Sequence, residues 1–163
     1  MKTLLIVFHS RTGGARQMAQ AAADAAGGEA GLCVRLLAAA EAGPDDVLGA
    51  DGYLFAAPEN LAALAGVMKD FFDRCYYPVL GRIEGRPYAA LICAGSDGRN
   101  AARQIARIAT GWRLRAVADP LIVCTHAETP EAILADKQIG AEDQARCATL
   151  GATLAAGLAL GIF

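Results

Sequence analysis

Leu4-Leu5-Ile6-Val7-Phe8, followed by His9-Ser10-Arg11-Thr12-Gly13-Gly14-Ala15-Arg16, is the stretch on which the fold turns. Five apolar residues in succession suit a strand buried on both faces. The hydroxyls and glycines after them, then the small-residue segment Ala15–Ala26, read as a turn into a helix. A strand, a turn and a helix N-terminus in this order make a site for a phosphate. Unpaired N–H groups, the positive end of the helix dipole and the hydroxyls of Ser10 and Thr12 converge there, and Arg11 and Arg16 add charge. The segment lacks the Lys-Ser/Thr ending of a Walker loop and the Gly-x-Gly-x-x-Gly of a dinucleotide fingerprint, so a terminal monophosphate suits it best. The same residues also fit a plain strand-to-helix turn capped by Ser10 or Thr12.

Outward from this stretch, strand-length apolar runs recur at Leu32–Leu37, Tyr53–Ala57, Tyr88–Ala94 and Pro120–Cys124. Helical patterns lie at Ala15–Ala26, Leu64–Tyr77, Ala101–Thr110 and Ala141–Leu160, with room for a short helix at Pro44–Leu48 and an extra turn near Glu131–Ala135. Strand then helix, repeated, predicts an α/β fold: a three-layer, doubly wound, five-stranded parallel sheet, as one domain over residues 1–163. Ligands of such sheets bind at the C-terminal strand ends, where the winding reverses. The loops after the first, third and fourth strands carry the polar and glycine residues such a rim needs.

Composition narrows the function. The chain is 55% apolar, which excludes a disordered protein, and its net charge of −2 gives no reason to expect nucleic acid or an anionic membrane as partner. Its five cysteines are odd in number and sit mostly in apolar runs, as reduced thiols of a cytoplasmic protein do. No Cys-x-x-Cys or His-x-x-x-His spacing points to a metal. The N-terminus does not read as a signal peptide. Cys147–Phe163 is seventeen residues without a charge and contains Gly157-x-x-x-Gly161. A final helix packed closely on the sheet, rather than a membrane anchor, is the expectation.

In the second rim loop, Pro58 and Asn60 are expected to set a turn whose backbone meets the polar edge of a flat heterocycle, with apolar residues over its face. Lys69, Asp73 and Arg74 read as a solvated helix face, Phe71 as core and Phe72 as facing a second subunit. The third loop, Gly95-Ser96-Asp97-Gly98-Arg99-Asn100, either wraps a ligand ring or caps the next helix through Asp97 or Asn100. Arg99 and Arg103 read as solvated or as contacts for a second anionic substrate, and Trp112 as packing. His9 and His126 have no partner at catalytic spacing.

Three pieces in order, His9-Ser10-Arg11-Thr12-Gly13-Gly14, Ala57-Pro58-Glu59-Asn60 and Gly66–Arg74, make the chain resemble the flavodoxin-like superfamily, in its NAD(P)H-dependent FMN reductase branch. The resemblance implies that Ser10, Arg11, Thr12, Gly13, Gly14 and Ala15 hold the FMN phosphate. It also implies that Pro58, Glu59, Asn60 and Leu61 line one side of the isoalloxazine, with Gly95, Ser96 and Gly98 on the other. No catalytic side chain is implied. The flavin takes hydride from NAD(P)H and hands electrons to a small-molecule acceptor such as a quinone, free flavin or metal. Two positions depart from the pattern. Ala15 stands where a hydroxyl is usual, a contact worth about 0.5–1.5 kcal/mol and thus up to roughly tenfold in affinity. Leu61–Ala63 are aliphatic where an aromatic is common. A flavodoxin-type electron carrier, or a module that has lost FMN, are the other readings; the near-balanced charge and aliphatic second loop argue against a carrier. The family's habit of pairing subunits implies a homodimer, for which Phe71, Phe72, Tyr76 and Tyr77 offer a face.

Overall fold

A computed structural model describes all residues, Met1–Phe163. Five parallel strands form the sheet in the order β2 (Leu32–Ala38), β1 (Lys2–Phe8), β3 (Gly52–Asn60), β5 (Pro87–Ala94), then a fifth position. That fifth position is filled by two short pieces, β6 (Arg115–Ala116) and β7 (Leu121–Cys124), both parallel to β5. Val117, Ala118, Asp119 and Pro120 separate them, and proline removes a ladder donor there. A two-residue strand, β4 (Ala63–Leu64), turns back antiparallel on the end of β3. The chain winds from β1 to β2 on one side and to β3 on the other, so the crevice between the ends of β1 and β3 is the switch point.

Each central strand is buried on both faces, as its unbroken apolar run requires. Leu5, Val7, Tyr53, Phe55, Ala90 and Ile92 face one core, completed by α2 (Pro44–Leu48), α3 (Gly66–Val79) and α4 (Arg99–Gly111). Leu4, Ile6, Leu54, Ala56, Ala89 and Leu91 face the other, completed by α1 (Gly14–Ala26) and α6 (Ala141–Ala159). The α1–α6 contact explains the small residues of both helices. A Cβ on Gly151 would stand 2.2 Å from the carbonyl oxygen of Ala22, so the two backbones nearly touch. The uncharged C-terminal stretch is thus a packed helix, and no helix of the chain is long and apolar enough to cross a membrane.

Two expectations about α3 and its surroundings are revised. Phe72 is 1% exposed, and its ring meets Phe55 at 5.0 Å and Trp112 at 5.6 Å between centroids; it belongs to the core. Phe71 is core as expected, Tyr76 stacks on Trp112, and Tyr77 is the one aromatic of the four that remains largely exposed. Trp112 packs, and its Nε1 donates to the Tyr76 carbonyl at 3.1 Å. Lys69–Asp73 forms the expected solvated pair, whereas Arg74 also donates to the carbonyls of Ala39 and Ala42 and ties α3 to the end of β2.

Candidate functional site

The floor of the crevice is the turn from β1 into α1. Gly13 caps the helix at φ 94°, a left-handed backbone that a side chain would resist, and it offers no capping group of its own. Its N–H donates instead to Ser10 Oγ at 3.1 Å. The first helical bond runs from Gln17 N to Gly13 O at 3.1 Å. From Ser10 to Arg16, every N–H other than that of Gly13 lacks a protein acceptor. Five of these six residues, Ser10, Arg11, Thr12, Gly14 and Ala15, border one cleft at the positive helix end. Gly14 is required for another reason: a Cβ there would stand 2.5 Å from Cys93 Sγ. Ala15 is almost fully buried against the α1–α6 core.

One wall is a hairpin rather than a loop. Pro58–Asn60 continue β3, with Glu59 paired to Leu64 and Asn60 to Ala63. The turn falls one step later than expected, at Leu61 (φ 50°) and Ala62 (φ 60°), because two residues with left-handed backbone match the twist of a tight hairpin. Neither is a residue that favours this backbone, and the Leu61 side chain is fully exposed. Glu59 does not point its charge at a ligand. Its two carboxylate oxygens accept from Gly98 N and Ala101 N, each at 3.0 Å, and so cap α4 across the fold. This cap joins the expected contribution of Asp97, whose Oδ1 accepts from Arg99 N at 3.3 Å, whereas Asn100 does not cap. Asp97 pairs with Arg99 at 2.6 Å, and Asn100 Nδ2 donates to the Ala62 carbonyl at 2.6 Å. Leu64 N donates to Gln104 Oε1 at 2.6 Å, so the hairpin and α4 are fastened at three places.

Gly95 and Ser96 follow β5 along the rim. A Cβ on Gly95 would stand 2.9 Å from the Ala127 carbonyl, so glycine lets a strap of chain pass close by. Gly98 is not at the crevice; it is buried beneath Ile92, Ala94 and Ile122 at φ 88°. The strap runs from Ala127 to Ile139 and contains α5 (Pro130–Leu134), capped by Thr129 Oγ1, which accepts from Ala132 N at 3.2 Å. The sequence predicts a turn here and no contact with the crevice. The available signal was a helix cap followed by two large aliphatics, Ile133 and Leu134, in a polar stretch.

These pieces enclose a cleft of about 520 Å³. All the sequence-predicted site residues line it except Gly13 and Gly98, and Ala62, Cys93, Ala127, Ile133 and Leu134 join them. Burial pushes the Cys93 thiol up to about 11, so it stays protonated on the cleft wall. Burial, then the neighbouring Arg11 charge, holds the half-buried His9 imidazole below its usual range. His126 takes a left-handed backbone at φ 59° and donates its N–H to Gly95 O at 2.8 Å; it serves the turn. The side chains on the cleft can bind, orient and exclude water. None pairs with another as an acid–base couple.

A family model described as NADPH-dependent FMN reductase matches residues 1–128. A flavodoxin of Aquifex aeolicus is 35% identical over 98 residues, covering 60% of this chain and 53% of its own length. An NAD(P)H dehydrogenase (quinone) of Acidithiobacillus ferrooxidans is 31% identical over 94 residues, covering 45% of this chain and 47% of its own. The chain spans about half the length of the curated relatives it matches. Among solved structures, an archaeal flavodoxin superposes with TM-score 0.76 at 16% identity, covering 96% of this chain and 98% of that one. The flavodiiron protein of Giardia intestinalis superposes with TM-score 0.77 at 17% identity over 99% of this chain and 37% of its own. These two share the fold.

Proposed function

The chain belongs to the NADPH-dependent FMN reductase family, and from that premise we propose an FMN-binding oxidoreductase that passes electrons from NAD(P)H to a small-molecule acceptor. One observation carries the reading: Ser10, Arg11, Thr12, Gly14 and Ala15, whose N–H groups have no protein acceptor, border a cleft that the aliphatic Leu61, Ile133 and Leu134 also line. An anionic end and a flat, largely apolar body are what such a site accepts. Its volume, about 520 Å³, lies within the range usual for small-ligand sites, roughly 300–1,000 Å³.

In this reading Ser10, Arg11, Thr12, Gly14 and Ala15 hold the phosphate, mostly through backbone donors. That makes the missing hydroxyl at Ala15 a modest loss. Gly13 acts indirectly, by giving the loop its left-handed turn. Pro58, Asn60 and Leu61 line the ring, and Glu59 sets the wall by holding α4 against it. Gly95 and Ser96 border the ring's other edge, while Gly98 shapes the backbone behind them. When bound, the flavin supplies hydride acceptance and electron transfer. The protein's part is position and the exclusion of water.

Purified protein loaded with FMN and mixed anaerobically with NADH or NADPH is expected to lose its visible flavin absorption with one of them. Bound FMN that neither nicotinamide bleaches would remove the reductase reading. It would favour an electron carrier, the alternative suggested by the relative named flavodoxin. Failure to bind FMN at micromolar concentrations would remove both.

A further inference from the structure

We propose that α5 is an additional wall of the cleft, with Ile133 and Leu134 as the side chains that cover a flat ring; this rests on the flavin reading above. α5 buries none of its own residues, so no core explains its two large aliphatics. Ile133 is 50% and Leu134 63% exposed, and both line the same cleft as the fully exposed Leu61. Three aliphatic side chains held in water around one cavity leave water when an apolar body fills it. Leu61–Ala63 provide no aromatic face, so aliphatic contact is what this chain has to offer a ring.

The wall is fixed in place by the floor. Gln17, on the first turn of α1, uses both ends of its amide: Nε2 donates to Lys137 O at 2.7 Å and Oε1 accepts from Ile139 N at 2.9 Å. Lys137 N donates to Thr12 O at 2.8 Å, a direct bond between strap and phosphate-type loop. Lys137 Nζ turns back to the carbonyls at the C-terminal end of α5, those of Ala132, Ile133 and Ala135. Gln17 is thus a positioning residue that sets where Ile133 and Leu134 stand relative to the anion site. The family match ends at residue 128, before α5, so this wall lies outside what the match covers.

The test is fluorescence titration of the full chain with FMN and with riboflavin, which has the same ring and no phosphate. The double variant Ile133→Ser/Leu134→Ser is expected to weaken both ligands by a similar factor, roughly tenfold, from the apolar area it no longer buries. Thr12→Ala is expected to weaken FMN and leave riboflavin unchanged. Gln17→Ala, which frees the strap, is expected to weaken both. Since α5 buries nothing, the double variant should melt with the wild type, which shows that any affinity change is local. Unchanged FMN and riboflavin affinities in the double variant overturn the proposal while the flavin reading stands. So does a loss confined to FMN, or a wild type that binds FMN and not riboflavin. A wild type that binds neither overturns the flavin reading itself.

Discussion

Leu61 and Ala62 both take left-handed backbone, which costs an L-residue about 1–2 kcal/mol unless the surroundings compel it. Ala62 is exposed and its carbonyl is tied to Asn100, so the turn is held from α4. Ala62→Gly is expected to stabilise the protein by about 1 kcal/mol, seen as a higher melting temperature; an unchanged one would mean that the turn is not strained. Gly14→Ala runs the other way. Its Cβ meets Cys93 Sγ, and a loss of about 1–3 kcal/mol is expected, largely restored when Cys93→Ala is added, as a double-mutant cycle in chemical denaturation will show. His9 gives stability a pH dependence. Its imidazole takes a proton less readily folded than unfolded, so stability is full above the usual 6.5 and falls as the pH drops below it. Urea titrations between about pH 7.5 and 5.5 should show this slope in the wild type and a flatter one in His9→Gln. The anion-type loop was legible because its residue types act where they stand. The strain at Leu61–Ala62 was not, since nothing about leucine or alanine announces a left-handed turn.

At the scale of elements, α4 depends on a residue far from it in sequence. Glu59 accepts from both Gly98 N and Ala101 N and adds negative charge at the helix N-terminus. Glu59→Ala is expected to cost about 1–2 kcal/mol in chemical denaturation and Glu59→Gln less, because the amide keeps one acceptor. Equal losses would mean that the charge, rather than the hydrogen bonds, matters. The main strands and helices were readable, since continuous apolar runs and glycine punctuation are local properties. The hairpin was hidden for a physical reason: Pro58 and Asn60 are turn formers, yet pairing of Pro58 with Cys93 and of Asn60 with Ala63 draws them into β3. Phe72 was misread because adjacent residues on a helix usually face apart. Here α3 lies in the corner between β3 and Trp112, and both phenylalanines find cover.

Across the whole molecule, two cores share one sheet, and each holds thiols away from water. Burial raises Cys75, Cys93 and Cys147 to about 11, so all three are expected to resist alkylation in the folded state near neutral pH and to react once denatured. Mass spectrometry after iodoacetamide treatment reads this directly; prompt native labelling of Cys75 or Cys147, which unlike Cys93 do not border the cleft, would show an opening that the packing does not predict. Close packing of the last helix was legible in its small residues. Which glycine makes the contact was not: Gly151 meets Ala22, whereas Gly157 lodges the Phe163 ring and Gly161 ends the helix with φ 67°. The α1–α6 contact also reaches into time. α1 is made well before α6, and until α6 follows, its alanine face lacks the helix it lies against. A nascent chain that has not yet made α6 therefore carries the β1–α1 turn on a helix with one side uncovered, and that turn should settle only once α6 docks.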